Sequence, residues 1–485
     1  MRRVFVKELD AYAPQALAQK LDVPLERAKQ LIETLTTLGV LKLKFSSDSQ
    51  ECEGSSEGEN ICGKYQFVYV GLAVCDDLVL IVYPKYFKRT PSLEQVRKVL
   101  RVIRKSSGGI SQMAAITEEG MRQNEKVALM LALLDLYGEY GIYSNQRHEY
   151  ELNGKGSISW NRTIGYHQPY FKNGRPIYLE YETAKLAQDN SDYVTRLHKS
   201  ILTECSAFME ESGLAELLAL DPVELSDEAV DDFGDKPFID YQLERENGVQ
   251  FVTWKQELLE MLRRYVNDEE MCVESDNIIC LGTSSFYHIW EVACKTAFND
   301  MVDWRLGRLP IELPASFKTR SNEQLIEIIP SPKWYAYDGS GYTSCGESAT
   351  LIPDIVTLWG EAGQVDTFAI LDAKYYSPSL EGRPSNVPEL GSITKQYLYQ
   401  AAYRDLVRES GLDHVVNAFL VPCEENDMRL MGKVEFLDVF ERMPKPFAND
   451  VKIWLIPAEE VWDCYLANKQ LADEEARRLY TMAGG

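Results

Sequence analysis

The chain has 485 residues, 45% hydrophobic and 11% aromatic, which is enough for two to four domains with their own cores and leaves room for only local disorder. No apolar run near the N-terminal MRRVFVKELD is long enough to span a membrane; the longest, residues 127–134, falls far short, so a soluble, cytoplasmic protein is expected. The formal charge of −24 opposes phosphate contact, so a nucleic-acid substrate requires either basic residues gathered on one face or a partner that carries the DNA.

Ten cysteines without a C-x-x-C pair, and five histidines without ligands at metal spacing, argue against structural zinc. The cysteines are expected to be reduced thiols.

In chain order, residues 14–45 read as helix, turn at Asp22, Val23 and Pro24, helix, strand. Leu25, Ala28, Leu31, Ile32 and Leu35 recur at helical spacing, and Gly39 closes the helix. This is the outline of a winged helix. Its second helix carries Arg27 and Lys29 but also Glu26 and Glu33, so protein contact is supported as well as DNA reading.

Residues 46–63, SSDSQECEGSSEGENICG, form an acidic loop inside the wing. The GENICGKY at its end fails as a phosphate-binding loop, because Tyr65 stands where Ser or Thr is required and no strand precedes it. Residues 65–87 give two strands joined at Asp76 and Asp77. Residues 93–105 give a helix with Arg97, Arg101 and Arg104 on one stripe beside Lys98 and Lys105. That stripe is either a solvated helix face or a phosphate-contacting one. The first domain is set at residues 1–110.

Residues 118–140 form a long helix with a core stripe. Residues 150–164, YELNGKGSISWNRTI, alternate like a strand, and helical patterns run to about Ala219. An acidic connector over residues 221–235 closes a helical and hairpin region, 111–235. A third domain, 236–485, opens with one long helix within residues 241–266.

A helix beginning at Ser284 has Phe286, Ile289, Trp290, Ala293 and Ala297 as its core stripe, with Tyr287, Glu291, Cys294 and Phe298 in the neighbouring row. Glu291 is thus bordered by apolar groups, a placement that calls for a metal or a lysine.

Residues 351–376, LIPDIVTLWGEAGQVDTFAILDAKYY, are two strand-forming runs around the turn GEAGQ, a hairpin. With Gly363 at the middle of the turn, Asp354 falls opposite Asp372, their Cβ atoms roughly 5 Å apart. Lys374 points to the same face. Two close carboxylates repel, and a divalent cation removes the conflict; hard oxygen ligands suit Mg²⁺, with Mn²⁺ as a substitute. The alternative is an ion pair at strand ends.

A Pro/Gly-rich loop over residues 377–391 leads to a helix over 393–407. Lys395, Gln396, Tyr399 and Tyr403 lie on one side of it, with Leu398, Ala401, Ala402 and Leu406 toward the core. Strands at 415–421 and 451–456 and a helix at 459–468 complete a mixed sheet flanked by helices. The expected class is a multidomain α/β and α+β protein.

Pro353-Asp354 followed by Asp372-Ala373-Lys374 resembles the PD-(D/E)-x-K nuclease signature. Together with residues 65–87, NGKGSISWNRTI, DYVTRLHKSILTEC and FYHIWEVAC, it resembles the LlaJI-type restriction endonucleases, relatives of the McrC nuclease subunit. The resemblance implies a Mg²⁺-dependent endonuclease acting on double-stranded DNA. Asp354, Asp372 and the Ala373 carbonyl would be ligands and Glu291 a further one, with Lys374 orienting the attacking water and stabilising the transition state. Gln396 and Tyr399, with Lys395 beside them, would orient the lysine or the phosphate. It also implies a separate AAA+ GTPase or ATPase subunit, since the chain has no nucleotide-binding loop of its own, and a docking hairpin around residues 153–164. Homo-oligomerisation stays open, as does a non-catalytic bridging role on the motor.

Overall fold

The runs VGLAVC and LVLIVY have no polar alternation, so both faces of the strands they form need cover. They form Val70–Cys75 and Leu78–Tyr83, central strands of a four-stranded sheet in the order Arg2–Lys7, Leu78–Tyr83, Val70–Cys75, Ile278–Thr283. Gly71 (φ +147°) permits the last of these pairings, since a Cβ there would stand 2.2 Å from the Leu281 carbonyl oxygen. The computed structural model describes residues 2–44, 63–75, 78–106, 121–189, 191–267, 278–337, 339–361, 364–436 and 444–481.

The chain forms a mixed α/β protein with several sheets, divided into two compact units. One comprises residues 110–279, the other residues 2–109 together with 280–485. This differs from three consecutive domains cut at 110 and 235. The acidic connector is held to the segment before it by Arg196 and Ser200, which donate to Glu228 at 2.9 and 2.7 Å, and the helix after it by Tyr143 and Asn145, which both donate to Glu246 Oε1 at 2.7 and 2.8 Å. The single helix expected at 241–266 is two, Lys236–Asn247 and Thr253–Asn267, with Gly248 at the C-cap of the first.

In the 110–279 unit, Asn145–Leu152 pairs antiparallel with Glu182–Asp189, and Ser157–Ile158 joins them. The strand expected through residue 164 stops there. Trp160–Tyr166 is a helix, in which Thr163 is buried and its Oγ1 accepts from Glu182 N at 2.9 Å.

In the other unit residues 14–37 form two helices, Pro14–Leu21 and Leu25–Thr37, where two were expected. They accompany a three-stranded sheet of Ala11–Tyr12, Lys64–Phe67 and Leu41–Lys44. Residues 65–87 therefore supply strands to two sheets rather than one. The acidic loop up to Cys62, and the turn at Asp76 and Asp77, lie outside the described residues.

The helix Leu93–Ser106 uses its lysines internally: Lys98 pairs with Glu459 at 2.7 Å and Asp463 at 2.9 Å, and Lys105 reaches Asn468 Oδ1 at 2.6 Å. Arg101 is exposed, whereas Arg97 and Arg104 are partly covered. The two lysines beside the arginine stripe are thus committed to the helix Ala458–Ala467 and the Asn468 that follows it.

The second sheet of this unit has five strands in the order Ile355–Glu361, Gln364–Ala373, His414–Cys423, Val451–Pro457, Arg429–Val434. The middle pairings are parallel and the edges antiparallel, which is the expected mixed sheet. On one face Val356, Leu358, Phe368 and Ile370 pack with Tyr399, Tyr403 and Leu406; the helix Phe286–Ala297 also packs against the Gln364–Ala373 strand. Among the described residues no helix is long and apolar enough to cross a membrane.

Candidate active site

The hairpin carries the expected register, from Ile355 opposite Leu371 to Trp359 opposite Thr367. It slips by one residue beyond Trp359, so that Gly360 faces Val365. Asp366 is the extra residue, and its carbonyl turns out to accept from Asp413 N at 2.8 Å. The turn residues 362–363 lie outside the described residues. At the open end, Asp354 and Asp372 stand one residue beyond the last pair and face each other.

Asp354 Oδ2 accepts from Ala373 N at 3.1 Å. Asp372 is 5% exposed; its Oδ1 lies 2.7 Å from Lys374 Nζ and its Oδ2 accepts from Gln396 Nε2 at 3.2 Å. The strand alternation that put Lys374 beside the aspartates is thus matched in the structure.

Burial first, then the hydrogen bond and charge of Asp372 and the charge of Glu291, push the Asp354 carboxyl up to about 8, against the pull of Lys374. Burial alone would lower Lys374, but Asp372 and Asp354 outweigh it and its pKa is raised. The lysine is therefore an ammonium at neutral pH, and the aspartate pair tends to keep a proton.

Glu291 has a side chain 24% exposed, held by Lys295 at 2.8 Å and by His288 at 3.4 Å. Its charge reaches Asp354, yet among the described residues no three His, Cys, Asp or Glu side chains gather where one ion could bind them all. In this conformation Glu291 sits in an ion pair with Lys295 rather than as a third carboxylate of the pair.

The helix expected over residues 393–407 is two, Leu390–Ala402 and Arg404–Glu409; Leu406 is buried and Ala402 packs against the core as expected, but the first helix otherwise turns a different face inward. Gln396, Tyr397, Tyr399 and Gln400 are buried, Leu398 is 42% exposed, and Ala401 and Lys395 are exposed. Interior partners decide this. Besides Gln396 on Asp372, Gln400 makes two hydrogen bonds to the Ala448 backbone at 2.8 and 3.0 Å, and Tyr399 OH donates to Ile352 O at 2.8 Å. Tyr399 thus fixes the segment entering Asp354 and does not touch Lys374 through that hydroxyl.

The group also contains residues that sequence reasoning passed over. Asn417, a polar residue within the strand run HVVNAFLVPC, is 2% exposed and donates to Gln396 O at 3.2 Å. Tyr375, next to Lys374, is buried against Phe286 and bonded to Glu8. A lone asparagine in an apolar strand could have signalled the first; nothing local signals the second.

The donor set fits a hard divalent cation. Asp372 Oδ1 is buried with no hydrogen-bond partner beyond its ion pair, and Gln396 Oε1 is buried with none. Two carboxylates and an ammonium at the open end of a mixed sheet suit metal-assisted hydrolysis of a phosphodiester.

The chain belongs to the LlaJI restriction endonuclease family, whose pattern matches residues 69–308 and 317–449. It is 27% identical over 435 residues to the type II restriction enzyme BsuMI component YdjA of Bacillus subtilis (strain 168), covering 86% of this chain and 84% of that protein. Among solved structures it is similar to a chain of the Thermococcus gammatolerans assembly of McrB AAA+ hexamers with bound McrC. There the identity is 14%, the coverage 96% of this chain and 99% of that one, and the TM-score 0.32. The McrBC complex of the same organism gives 16% identity, 58% and 83% coverage and a TM-score of 0.21.

Proposed function

We propose that the chain is a PD-(D/E)-x-K endonuclease of DNA restriction, hydrolysing phosphodiester bonds at Asp354, Asp372 and Lys374. The observation that carries this reading is the facing carboxylate pair beside a protonated lysine. Asp354, Asp372 and the Ala373 carbonyl would hold Mg²⁺, or Mn²⁺ in its place. Bound there, the ion would polarise the phosphate and lower the pKa of a water.

The remaining chemistry belongs to the chain. Asp354, whose carboxyl burial and Asp372 push up to about 8, would give up its proton to serve as a ligand. Gln396 holds Asp372 by one oxygen and leaves the other facing Lys374. Lys374, kept charged by both aspartates, orients the water and stabilises the charge that develops on the phosphoryl oxygens. Glu291, through its own charge, keeps the pair hungry for a cation.

The two helices and small sheet of residues 11–67 read as a winged helix. Residues 145–189 expose Trp160, Ile164, Tyr166, Tyr170 and Phe171, from 51 to 72%. Apolar surface on that scale favours a protein partner. A separate AAA+ motor, as named for the McrC-bound assembly, is the partner we infer.

The test is plasmid cleavage by the purified chain with Mg²⁺, with and without the neighbouring AAA+ gene product. Cleavage that needs Mg²⁺ supports the reading. No cleavage under either condition, with unchanged motor binding, would leave only a bridging subunit.

A further inference from the structure

One element near the site has no assigned role: the two-stranded ribbon Lys333–Tyr337 and Tyr342–Glu347, exposed at every position. Trp334, Tyr335, Tyr337 and Tyr342 are 62, 55, 65 and 77% exposed. Tyr337 pairs with Tyr342, their rings 5.3 Å apart, and Tyr335 pairs with Ser344. Strand alternation puts Tyr335 and Tyr337 on one face, with Tyr342 opposite Tyr337, on the turn side of a register shift between Trp334 and Tyr335. A lone ribbon is only marginally stable in water, and aromatic surface left in solvent marks an interaction site.

The ribbon's base is fixed. Ser348 N donates to Pro332 O at 3.1 Å and Thr350 Oγ1 to Pro330 O at 2.9 Å. Ile329, just before it, lies in the same core cluster as Phe368 and Tyr399. Only six residues lie between Glu347 and Asp354, at most about 25 Å of chain, and Tyr399 pins that segment at Ile352. A duplex with a phosphodiester at Asp354 and Asp372 lies within the ribbon's reach.

We propose that this ribbon contacts double-stranded DNA in the major groove, with the three tyrosines against base edges; the proposal rests on the nuclease reading above. A two-stranded ribbon fits a groove about 12 Å wide. Tyrosine offers a flat ring to thymine methyl groups and a hydroxyl that both donates and accepts. Lys333 and Glu347 pair with each other at 3.6 Å, so the strands add no net charge to a chain of −24. Such a surface neither depends on phosphates nor strongly repels them. Contacts of this kind specify sequence, while phosphate contacts position the protein.

The experiment uses the full chain in EDTA with a pool of random-sequence duplexes carrying 5-iodouracil, irradiated and mapped by peptide. Cross-links within residues 333–347 are expected. The triple variant Tyr335→Ala, Tyr337→Ala, Tyr342→Ala should bind the same pool about tenfold more weakly, with an unchanged slope of affinity against salt, because no phosphate contact is lost. If that variant misfolds, its melting curve shows it and the wild-type cross-links decide.

Cross-links mapping wholly elsewhere overturn the proposal. So does a variant that keeps its DNA affinity; loss of self-association by sedimentation in that variant would assign the ribbon to a second copy, and loss of stimulation by the motor to a protein partner. Ribbon cross-links from a chain that neither binds Mg²⁺ nor cleaves would sink the nuclease reading and leave the DNA contact standing.

Discussion

The Tyr375 hydroxyl donates to Glu8 Oε2 at 2.5 Å, tying the residue after Lys374 to the end of the first strand. Lys85 N donates to the same oxygen at 3.0 Å, and the Lys85 ammonium lies 4.3 Å from the centre of the Tyr375 ring. Burial pushes the Glu8 carboxyl up while Lys85 and Tyr375 pull it back, so the cluster holds together through its hydrogen bonds.

Tyr375→Phe removes only the hydroxyl and leaves a buried acceptor short of a donor. It is expected to cost about 1–3 kcal/mol of stability and to lower the cleavage rate, with Mg²⁺ affinity unchanged. Thermal unfolding, isothermal titration and single-turnover cleavage read the three quantities separately. A variant with wild-type turnover would show that Lys374 needs no support from this side.

Asp372→Asn and Lys374→Ala should each reduce cleavage on the order of 10³-fold, the scale of losing one charge-stabilising group. Their effects on stability should differ. Lys374→Ala leaves Asp372 buried without its 2.7 Å counter-ion and should melt lower in EDTA. Asp372→Asn removes the repulsion on Asp354 and should melt at or above wild type.

The Asp354 carboxyl gives a pH signature. Its pKa in the folded chain, about 8, lies above the ordinary 3.8, so between these values the folded state holds a proton that the unfolded chain has lost. Stability of the metal-free protein should therefore fall as pH rises from about 4 to 8. Mg²⁺ displaces that proton, so the melting shift it produces should grow from pH 6 to pH 8. Asp354→Asn should abolish that growth; a Mg²⁺ shift independent of pH would contradict the assignment.

Gly360→Ala should disrupt the hairpin, because a Cβ at this slip would stand 1.9 Å from the Gln364 carbonyl oxygen, a backbone atom that cannot move aside. A loss of about 1–3 kcal/mol is expected from such overpacking, read from urea unfolding.

The facing of Asp354 and Asp372 was legible because strand period and turn position are local properties. The slip at Gly360 did not spoil it, since it lies on the turn side of the matching pairs. The orientation of the helix Leu390–Ala402 was not legible. Its stripe of leucine and alanine competes with a stripe of glutamine and tyrosine, and only the partners at Asp372, Ala448 and Ile352, none of them local, select the second. The ribbon at residues 333–347 also went unseen, because its exposed aromatics bury no face and so show no amphipathic pattern.

The sheet that joins Arg2–Lys7 and Leu78–Tyr83 to Val70–Cys75 has its fourth strand at Ile278–Thr283. During synthesis the first three strands leave the ribosome long before the fourth has been made. At about 5–20 residues per second, the open edge of Val70–Cys75 waits roughly 10–40 s for its neighbour. In that interval the edge of a fully apolar strand is open to pairing with another nascent chain, and only the arrival of Ile278–Thr283 closes it within the fold.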